Sequence, residues 1–372
     1  MNLIFKFFIL IGVSLTVAVS CKKDGEQLVY ETEISRLTDS VLAANPSIPG
    51  IIVGVWDKEK NLDYTFGAGY SDPNAHEPMN PGYHFRIGSN TKSFVVTAVL
   101  QLVDEGKLSL TDKLSKFLPV FPRANEVNIK QLCTMESGIF DYSQTEFFAE
   151  QLLNNPLKKW TPDELIEIAG QNPYVFNPGA QYGYSNTNTV LLGKIAEGLT
   201  NKSLGTLLSE RFFIPLGLDS TYFAIDNLMP ANYLKGWGTS EYAPIPASSV
   251  PIDISEYYDM TWGWACGNNI STLQDVKTWV EKLVDGSMIS DSLQQQRFTS
   301  NFTSKGFTYG YGMFTTGNGF WGHNGGVFGY SSVMMRLRGK DCTIVIGANT
   351  LNGVSVSAVM NLYLKIAGYL HP

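Results

Sequence analysis

The chain is poor in the residues that several binding specialisations require. Its 372 residues include only four cysteines and four histidines. Basic side chains number 27 against 34 acidic ones, a formal net charge of −7, and they form no Lys/Arg block. Phosphate backbones are held by clustered cations, so the composition argues against a nucleic-acid partner. The sequence has no internal repeat and no low-complexity segment. With 44% hydrophobic and 12% aromatic residues, it is neither disordered nor fibrous. Beyond Cys21, the cysteines are Cys133, Cys266 and Cys342. They are odd in number and far apart, which excludes a disulfide framework and zinc-ligand spacing. Buried free thiols are the expectation. Without a His-x-x-x-His pair or a Cys cluster, no metal or cofactor is implied.

The longest early apolar run is also short. Lys6 precedes Phe7–Val19, which ends at Ser20-Cys21. The run is too brief to span a bilayer comfortably and reads as a signal h-region. Ala18-Val19-Ser20-Cys21 resembles a bacterial lipobox, in which the cysteine is lipidated and becomes the first mature residue. The expectation is a signal segment over 1–20, a lipid anchor on Cys21 and a polar tether over 21–27. Removal of the signal takes away Lys6 and no acid, leaving 26 basic and 34 acidic side chains. The chain would sit in the bacterial cell envelope, membrane-anchored on the periplasmic or outer surface.

What remains is long enough for two lobes. Tyr30, Ile34, Leu37 and Val41 recur at helical spacing, so 28–44 reads as an amphipathic helix. Gly50–Trp56 and Asn61–Gly67 read as strands joined by a charged turn. Ser71–Gly82 reads as a loop. The pattern from 90 to about 290 is mainly helical. Thr161-Pro162-Asp163-Glu164 has the form of a helix start, and Ser271-Thr272-Leu273-Gln274 reads as a second capping box. Glu241–Asp253 is a Pro-rich loop and a candidate cover for a cleft, though no residue in it requires that role. Phe307–Thr315, Ser331–Leu337 and Cys342–Ala348 read as strands, and Val354–Leu370 as a closing helix. Strands at both ends and helices between them suggest a mixed lobe, 28–90 plus 300–372, with a helical lobe, 91–299, inserted. A cleft between lobes is a natural place for a site.

Three short segments carry chemistry. Ser89-Asn90-Thr91-Lys92 opens a helix whose apolar residues continue through Val95, Val96, Val99, Leu100 and Val103. A serine at a helix start meets free backbone N–H groups that can stabilise an oxyanion. Lys92, three residues on, shares its face. A desolvated lysine loses its proton more readily and can serve as a base. Tyr184-Ser185-Asn186 follows a turn at Asn177-Pro178-Gly179. A tyrosine beside a lysine is expected to have a depressed pKa and to relay a proton. Asn186 offers a donor and an acceptor to an amide. His323-Asn324-Gly325-Gly326 lies between β-rich runs, where glycine permits close backbone approach. His76, His84 and His371 read as incidental. Tyr257, Tyr258, Trp262 and Trp264 read equally as an acyl pocket or as core.

S-x-x-K, Y-x-N and H-x-G, in this order, resemble the serine β-lactamase and penicillin-binding superfamily. The Tyr-Ser-Asn form is closest to class C β-lactamases and the D-alanyl-D-alanine carboxypeptidases and esterases related to them. Phe85-Arg86-Ile87-Gly88 and Gly310-Tyr311-Gly312 agree. The resemblance implies a β-lactamase/transpeptidase-like α/β (α+β) fold, with an antiparallel sheet flanked by terminal helices and an inserted, mostly helical lobe. It also implies a serine hydrolase acylated on Ser89. Lys92 and Tyr184 would handle protons, the N–H groups of Ser89 and Gly326 would form the oxyanion hole, and Asn186 would bind an acyl amide. His323 would lie across the cleft near Tyr184 or the leaving group, with Gly325 beside the substrate.

The chain departs from the pattern twice. Leu132-Cys133-Thr134-Met135-Glu136-Ser137-Gly138-Ile139 stands where the family often has Leu-Leu-Thr-His-Thr-Ser-Gly-Leu, which is expected to reshape a loop near the cleft. His323 stands where β-lactamases usually carry lysine, and it would hold a substrate carboxylate less firmly. The expected substrate is a small peptide, ester or β-lactam. D-alanyl-D-alanine carboxypeptidase-like cleavage of wall-type peptides comes first. An esterase, a weak β-lactamase or a non-catalytic wall-peptide-binding lipoprotein are the alternatives.

Overall fold

Three strands form the centre of the molecule, and each is buried along its whole length: Gly50–Asp57, Tyr330–Leu337 and Cys342–Ala348. Strands covered on both faces read as near-continuous apolar runs, which is how Gly50–Asp57 and Cys342–Ala348 look in sequence, while Tyr330–Leu337 also buries Ser331, Ser332 and Arg336. The computed structural model describes residues 25–372 apart from 249 and 305. The expected signal segment, Cys21 and most of the tether lie outside the described residues.

The main sheet has nine strands, and every pairing in it is antiparallel. Gly50–Asp57, from the N-terminal part of the chain, pairs with Cys342–Ala348 from the C-terminal part, in a register running from Ile51↔Ala348 to Asp57↔Cys342. Both ends of the sequence therefore build one sheet, as expected. The period-2 alternation of a strand sorts its side chains. Ile51, Val53 and Val55 join one core with Ile34, Val359, Leu362 and Ile366. Those partners lie on the helices Gly25–Ala44 and Ser355–Leu370, which cover that face. Ile52 and Trp56 point into the other core. There the helix Leu273–Asp285 lies on the sheet, although it falls in the stretch read from sequence as the inserted helical lobe.

The helices Asn186–Thr200, Leu204–Leu208 and Trp264–Gly267 pack around Thr91–Asp104, a helix buried on almost every side, from Thr91 to Leu100 and again at Leu102. A helix apolar all round belongs in a core. Burying each large apolar side chain is worth roughly 1.5–3 kcal/mol, enough to carry one buried lysine along with it. Among the described residues no helix is long and apolar enough to cross a membrane.

Local expectations fared unevenly. Thr161 and Glu164 form the reciprocal capping box that their spacing indicates. The box expected at Ser271 does not form. Ser271 ends a short strand paired with Phe85, and Thr272 is the cap, accepting from the Asp275 N–H. The run Phe307–Thr315 is not one strand but a hairpin of Phe307–Tyr309 and Phe314–Thr315, because Gly312 turns with φ +70°. The presumed loop Ser71–Gly82 also holds a two-residue strand at Glu77–Pro78. The Pro-rich loop ends in a ribbon, Ile252–Asp253 against Trp237–Gly238. Its Tyr242 lies against Gly353.

Candidate active site

The turn carrying Ser89 is fixed before any side chain acts. Phe85–Arg86 pairs with Asn269–Ser271, and the Ile87 N–H donates to the Asn269 carbonyl. Gly88 then takes φ +53°, a left-handed conformation that glycine adopts without a Cβ penalty. Its lack of a side chain has a second use. A Cβ there would stand 2.9 Å from the backbone nitrogen of Gly326. The segment ahead of the serine and the strand Phe320–Val327 therefore touch backbone to backbone. The Ile87 carbonyl accepts from Asn90 Nδ2 and Ser332 Oγ, both at 2.9 Å, and Asn90 Nδ2 also reaches Ser332 Oγ at 2.8 Å. Ser89 sits half-buried in a 3₁₀ turn, Gly88–Asn90, that runs into the helix Thr91–Asp104.

Lys92 lies one turn further on, with no exposed surface. Its Nζ is 2.9 Å from Ser89 Oγ and 2.7 Å from the Cys266 carbonyl. Desolvation pushes its pKa down from 10.5 to about 8, because burial penalises the ammonium more than the amine. As a neutral amine, it can accept the serine proton while still donating to Cys266. No feature of the sequence marks Cys266 for this role; its backbone carbonyl orients the lysine.

Tyr184 reaches the same point from the helical side. The Lys92 Nζ lies 4.9 Å from its ring centroid, and Ser89 is near enough to its phenol to act on the hydroxyl. The residue is 40% exposed, yet desolvation at the hydroxyl dominates and raises its pKa well above the ordinary tyrosine value. This corrects the expectation of a depressed phenol. Tyr184 is a neutral O–H donor here, and a tyrosinate base is disfavoured.

The departure at Met135-Glu136 has a structural outcome. Met135 turns with φ +58°. The carbonyls of Met135, Glu136 and Gly138 accept from the N–H groups of Gly183, Gly179 and Val175, each at 2.8 Å. Buried Glu136 is held in turn by Asn301, whose Nδ2 donates at 2.7 Å. This loop clamps the segment that delivers Tyr184.

Asn186 begins the helix Asn186–Thr200. Its backbone N–H donates to Asp141 at 3.0 Å, and its Nδ2 donates to Ser143 Oγ at 3.1 Å. The Asn186 side-chain oxygen is the end left for a ligand amide. Asp141 was not singled out from sequence. Its charge acts on Lys92, Tyr184 and Cys266. The pair Asp141-Tyr142, just beyond Ser137-Gly138, was the available signal.

His323 needs correction as a group acting on substrate. It is only 1% exposed. Its Nδ1 lies 2.5 Å from the Asn324 carbonyl and its Nε2 lies 3.1 Å from the Tyr309 hydroxyl. A carbonyl only accepts, so Nδ1 carries the proton and Nε2 accepts from Tyr309. Burial, aided by the charge of Lys92, lowers its pKa to about 3. The ring is neutral and faces inward. Its centroid is 6.4 Å from that of Tyr184, and Tyr309 touches both rings. His323 therefore positions Tyr184 through packing.

Gly325 is likewise not a substrate group. It is buried, and a Cβ there would collide with the Ile87 carbonyl oxygen and Ser332 Oγ. Gly326 is exposed beside the Ser89 turn. The aromatic run divides. Tyr258 and Trp264 are buried core, while half-buried Trp262 packs on Phe328 and Phe148. His371, read as incidental, bonds to Asp57 Oδ2 at 2.7 Å.

Comparisons with known proteins identify the fold and the family. The sequence profile described as Beta-lactamase matches residues 37–368. A putative penicillin-binding protein PbpX of Bacillus subtilis (strain 168) is 25% identical over 300 residues, 79% of this chain and 69% of its own length. The crystal structure of a D-stereospecific amidohydrolase from Streptomyces sp. superposes with a TM-score of 0.79 at 25% identity, over 89% of this chain and 97% of that one. A D-amino acid amidase from Ochrobactrum anthropi SV3 does so with a TM-score of 0.79 at 21% identity, over 92% and 99%. The fold is thus the β-lactamase/transpeptidase-like one, and the chain belongs to the beta-lactamase family of serine hydrolases and penicillin-binding proteins.

Proposed function

We propose that this chain hydrolyses small amides and esters through an acyl-enzyme on Ser89. One observation carries the reading: a wholly buried Lys92 whose Nζ lies 2.9 Å from Ser89 Oγ, with its pKa lowered to about 8. The neutral amine takes the serine proton as Oγ bonds to the substrate carbonyl carbon. The N–H groups of Ser89 and Gly326 receive the oxyanion. Tyr184, a neutral phenol beside Ser89, gives its proton to the leaving amine or alcohol and recovers one from Lys92. Water then attacks the acyl carbonyl and Ser89 Oγ departs, re-protonated. The Asn186 amide oxygen accepts from an N–H of the acyl part.

Within this class, the charges at the site favour substrates without a free carboxylate. Among the described residues, the groups acting on Lys92 and Tyr184 include the Asp141 carboxyl, and the histidine in the H-x-G segment is neutral and buried. Apart from Lys92, which is engaged by Ser89 and the Cys266 carbonyl, nothing in that set supplies the cation that a D-alanyl-D-alanine carboxypeptidase would use to hold its substrate's terminus. The similarity to a D-stereospecific amidohydrolase supports an amide of D configuration. The sequence of Lys6, Phe7–Val19 and Cys21 supports export and lipid anchoring, which palmitate labelling of the wild type but not of Cys21→Ser would test.

The deciding experiment is intact-mass analysis after exposure to activated esters, D-amino acid amides, D-alanyl-D-alanine peptides and a penicillin. An adduct on Ser89, absent from Ser89→Ala, with turnover of amides or esters, is the expected result. A wild type that forms no adduct and turns over none of the four classes overturns the proposal and favours a wall-peptide-binding role.

A further inference from the structure

Away from the catalytic groups, three side chains of metal-ligating type converge from three different elements. Asp57 ends the strand Gly50–Asp57, and Cys342 opens the strand Cys342–Ala348. The two are directly opposed in the sheet register. His371 follows the helix Ser355–Leu370, and its N–H still donates to the Ala367 carbonyl. One ligand atom from each lies within 4.8 Å of the other two. The Asp57 side chain is fully buried, that of His371 is 13% exposed, and Cys342 is buried.

We propose that Asp57, Cys342 and His371 form a binding site for one borderline divalent cation, Zn²⁺ or Co²⁺. A thiolate, an imidazole and a carboxylate are the donor set that such ions select, whereas Mg²⁺ and Ca²⁺ require oxygen ligands. Ligand bonds of about 2.0–2.3 Å need donor atoms roughly 3.3–3.8 Å apart around a tetrahedron. The present spacing runs from 2.7 Å between His371 Nε2 and Asp57 Oδ2 to at most 4.8 Å, so binding moves that first pair apart. His371, at the end of its helix, is the group able to move. Protons hold the three side chains together here: the imidazole bonds to Asp57 Oδ2, and burial together with the Asp57 carboxylate keeps the Cys342 thiol protonated. Binding breaks the imidazole–carboxylate hydrogen bond. Sγ releases its proton to solvent as the metal–sulfur bond forms. Nε2 gives up its proton, to Nδ1 or to solvent, as its lone pair turns to the metal. The carboxylate and thiolate together balance the 2+ charge. Water fills the fourth position from the exposed side of His371. The outcome is a tie between the final helix and the hairpin that starts the sheet.

Titration of the full-length protein with Co²⁺ tests this. One equivalent should bind, with a thiolate-to-cobalt charge-transfer absorption that Zn²⁺ abolishes. Cys342→Ser should lose the absorption, and His371→Ala, on the exposed side, should weaken binding at least tenfold with its fold intact. Ester hydrolysis should be unchanged in both variants. Absence of a thiolate band in the wild type, or a band that persists in Cys342→Ser, overturns the proposal. So does wild-type affinity in His371→Ala.

Discussion

Lys92 Nζ lies 2.9 Å from Ser89 Oγ, and of the two side chains only that of the serine borders solvent. Because burial brings the amine to about 8, its neutral fraction rises tenfold per pH unit below that value. The acylation rate with an activated ester should climb with slope one up to about pH 8 and level off above it. Lys92→Arg should lose the limb and most of the activity. A flat wild-type profile between pH 6 and 9 would remove Lys92 as the base.

The same burial has a cost to the fold. Between pH 8 and 10.5 the folded chain binds fewer protons at Lys92 than the unfolded chain, so this group makes stability rise with pH across that window. Below pH 8 the penalty is complete, on the order of 3 kcal/mol. Lys92→Met removes it but strands the Cys266 carbonyl, at roughly 1–3 kcal/mol. Denaturant unfolding should find Lys92→Met at least as stable as wild type at pH 7, with the advantage shrinking by pH 10. A variant clearly less stable at pH 7 would contradict the assignment.

Tyr184→Phe keeps the ring contacts with Tyr309 and His323 but removes the proton donor. Amide hydrolysis, with its poor leaving group, should fall by about 10²–10⁴-fold. Hydrolysis of an activated ester, whose leaving group needs no proton, should fall far less. Equal losses on both substrates would argue that the phenol serves as the base.

His323 should not titrate near neutrality. Its ring is neutral, bonded at both nitrogens and held at about 3. Its C–H resonances in NMR spectra should stay fixed from pH 5 to 8. A His323 titration near 6.5 would mean that the ring faces water.

Two adjacent glycines should behave differently. Gly325→Ala drives a methyl group into the Ile87 carbonyl and Ser332, so the variant should be destabilised by roughly 2–4 kcal/mol or misfold. Gly326→Ala meets Leu351 Cδ1 at 3.1 Å, the end of a flexible side chain. It should fold normally, and any loss should appear in turnover. Thermal unfolding of both separates packing from catalysis at this strand.

Much of the arrangement was legible because it depends on periodicity and order. Ser89, Lys92 and Tyr184 stand out by residue type and spacing, and β-rich runs between Gly or charged turns mark the central strands. Orientation was not legible. Nothing in His323-Asn324-Gly325 says that the imidazole turns inward to Tyr309, since that depends on a hairpin split at Gly312. The sign of the Tyr184 shift was misread because proximity to a lysine is visible in sequence and desolvation is not. Cys266 acts through its carbonyl, which every residue has. Asp57, Cys342 and His371 are far apart in the chain and meet only because the two ends share a sheet.

The Ile87 carbonyl is the anchor for Asn90 and Ser332, and Gly325 and Gly326 abut the same turn. The attacking hydroxyl and one wall of its anion cradle are therefore welded to the sheet. The phenol comes from elsewhere, on a segment gripped by the Met135–Gly138 loop. A reaction assembled from two such scaffolds is sensitive to their relative alignment. Perturbations at Met135 or Glu136 should thus degrade departure of the leaving group while sparing the initial attack.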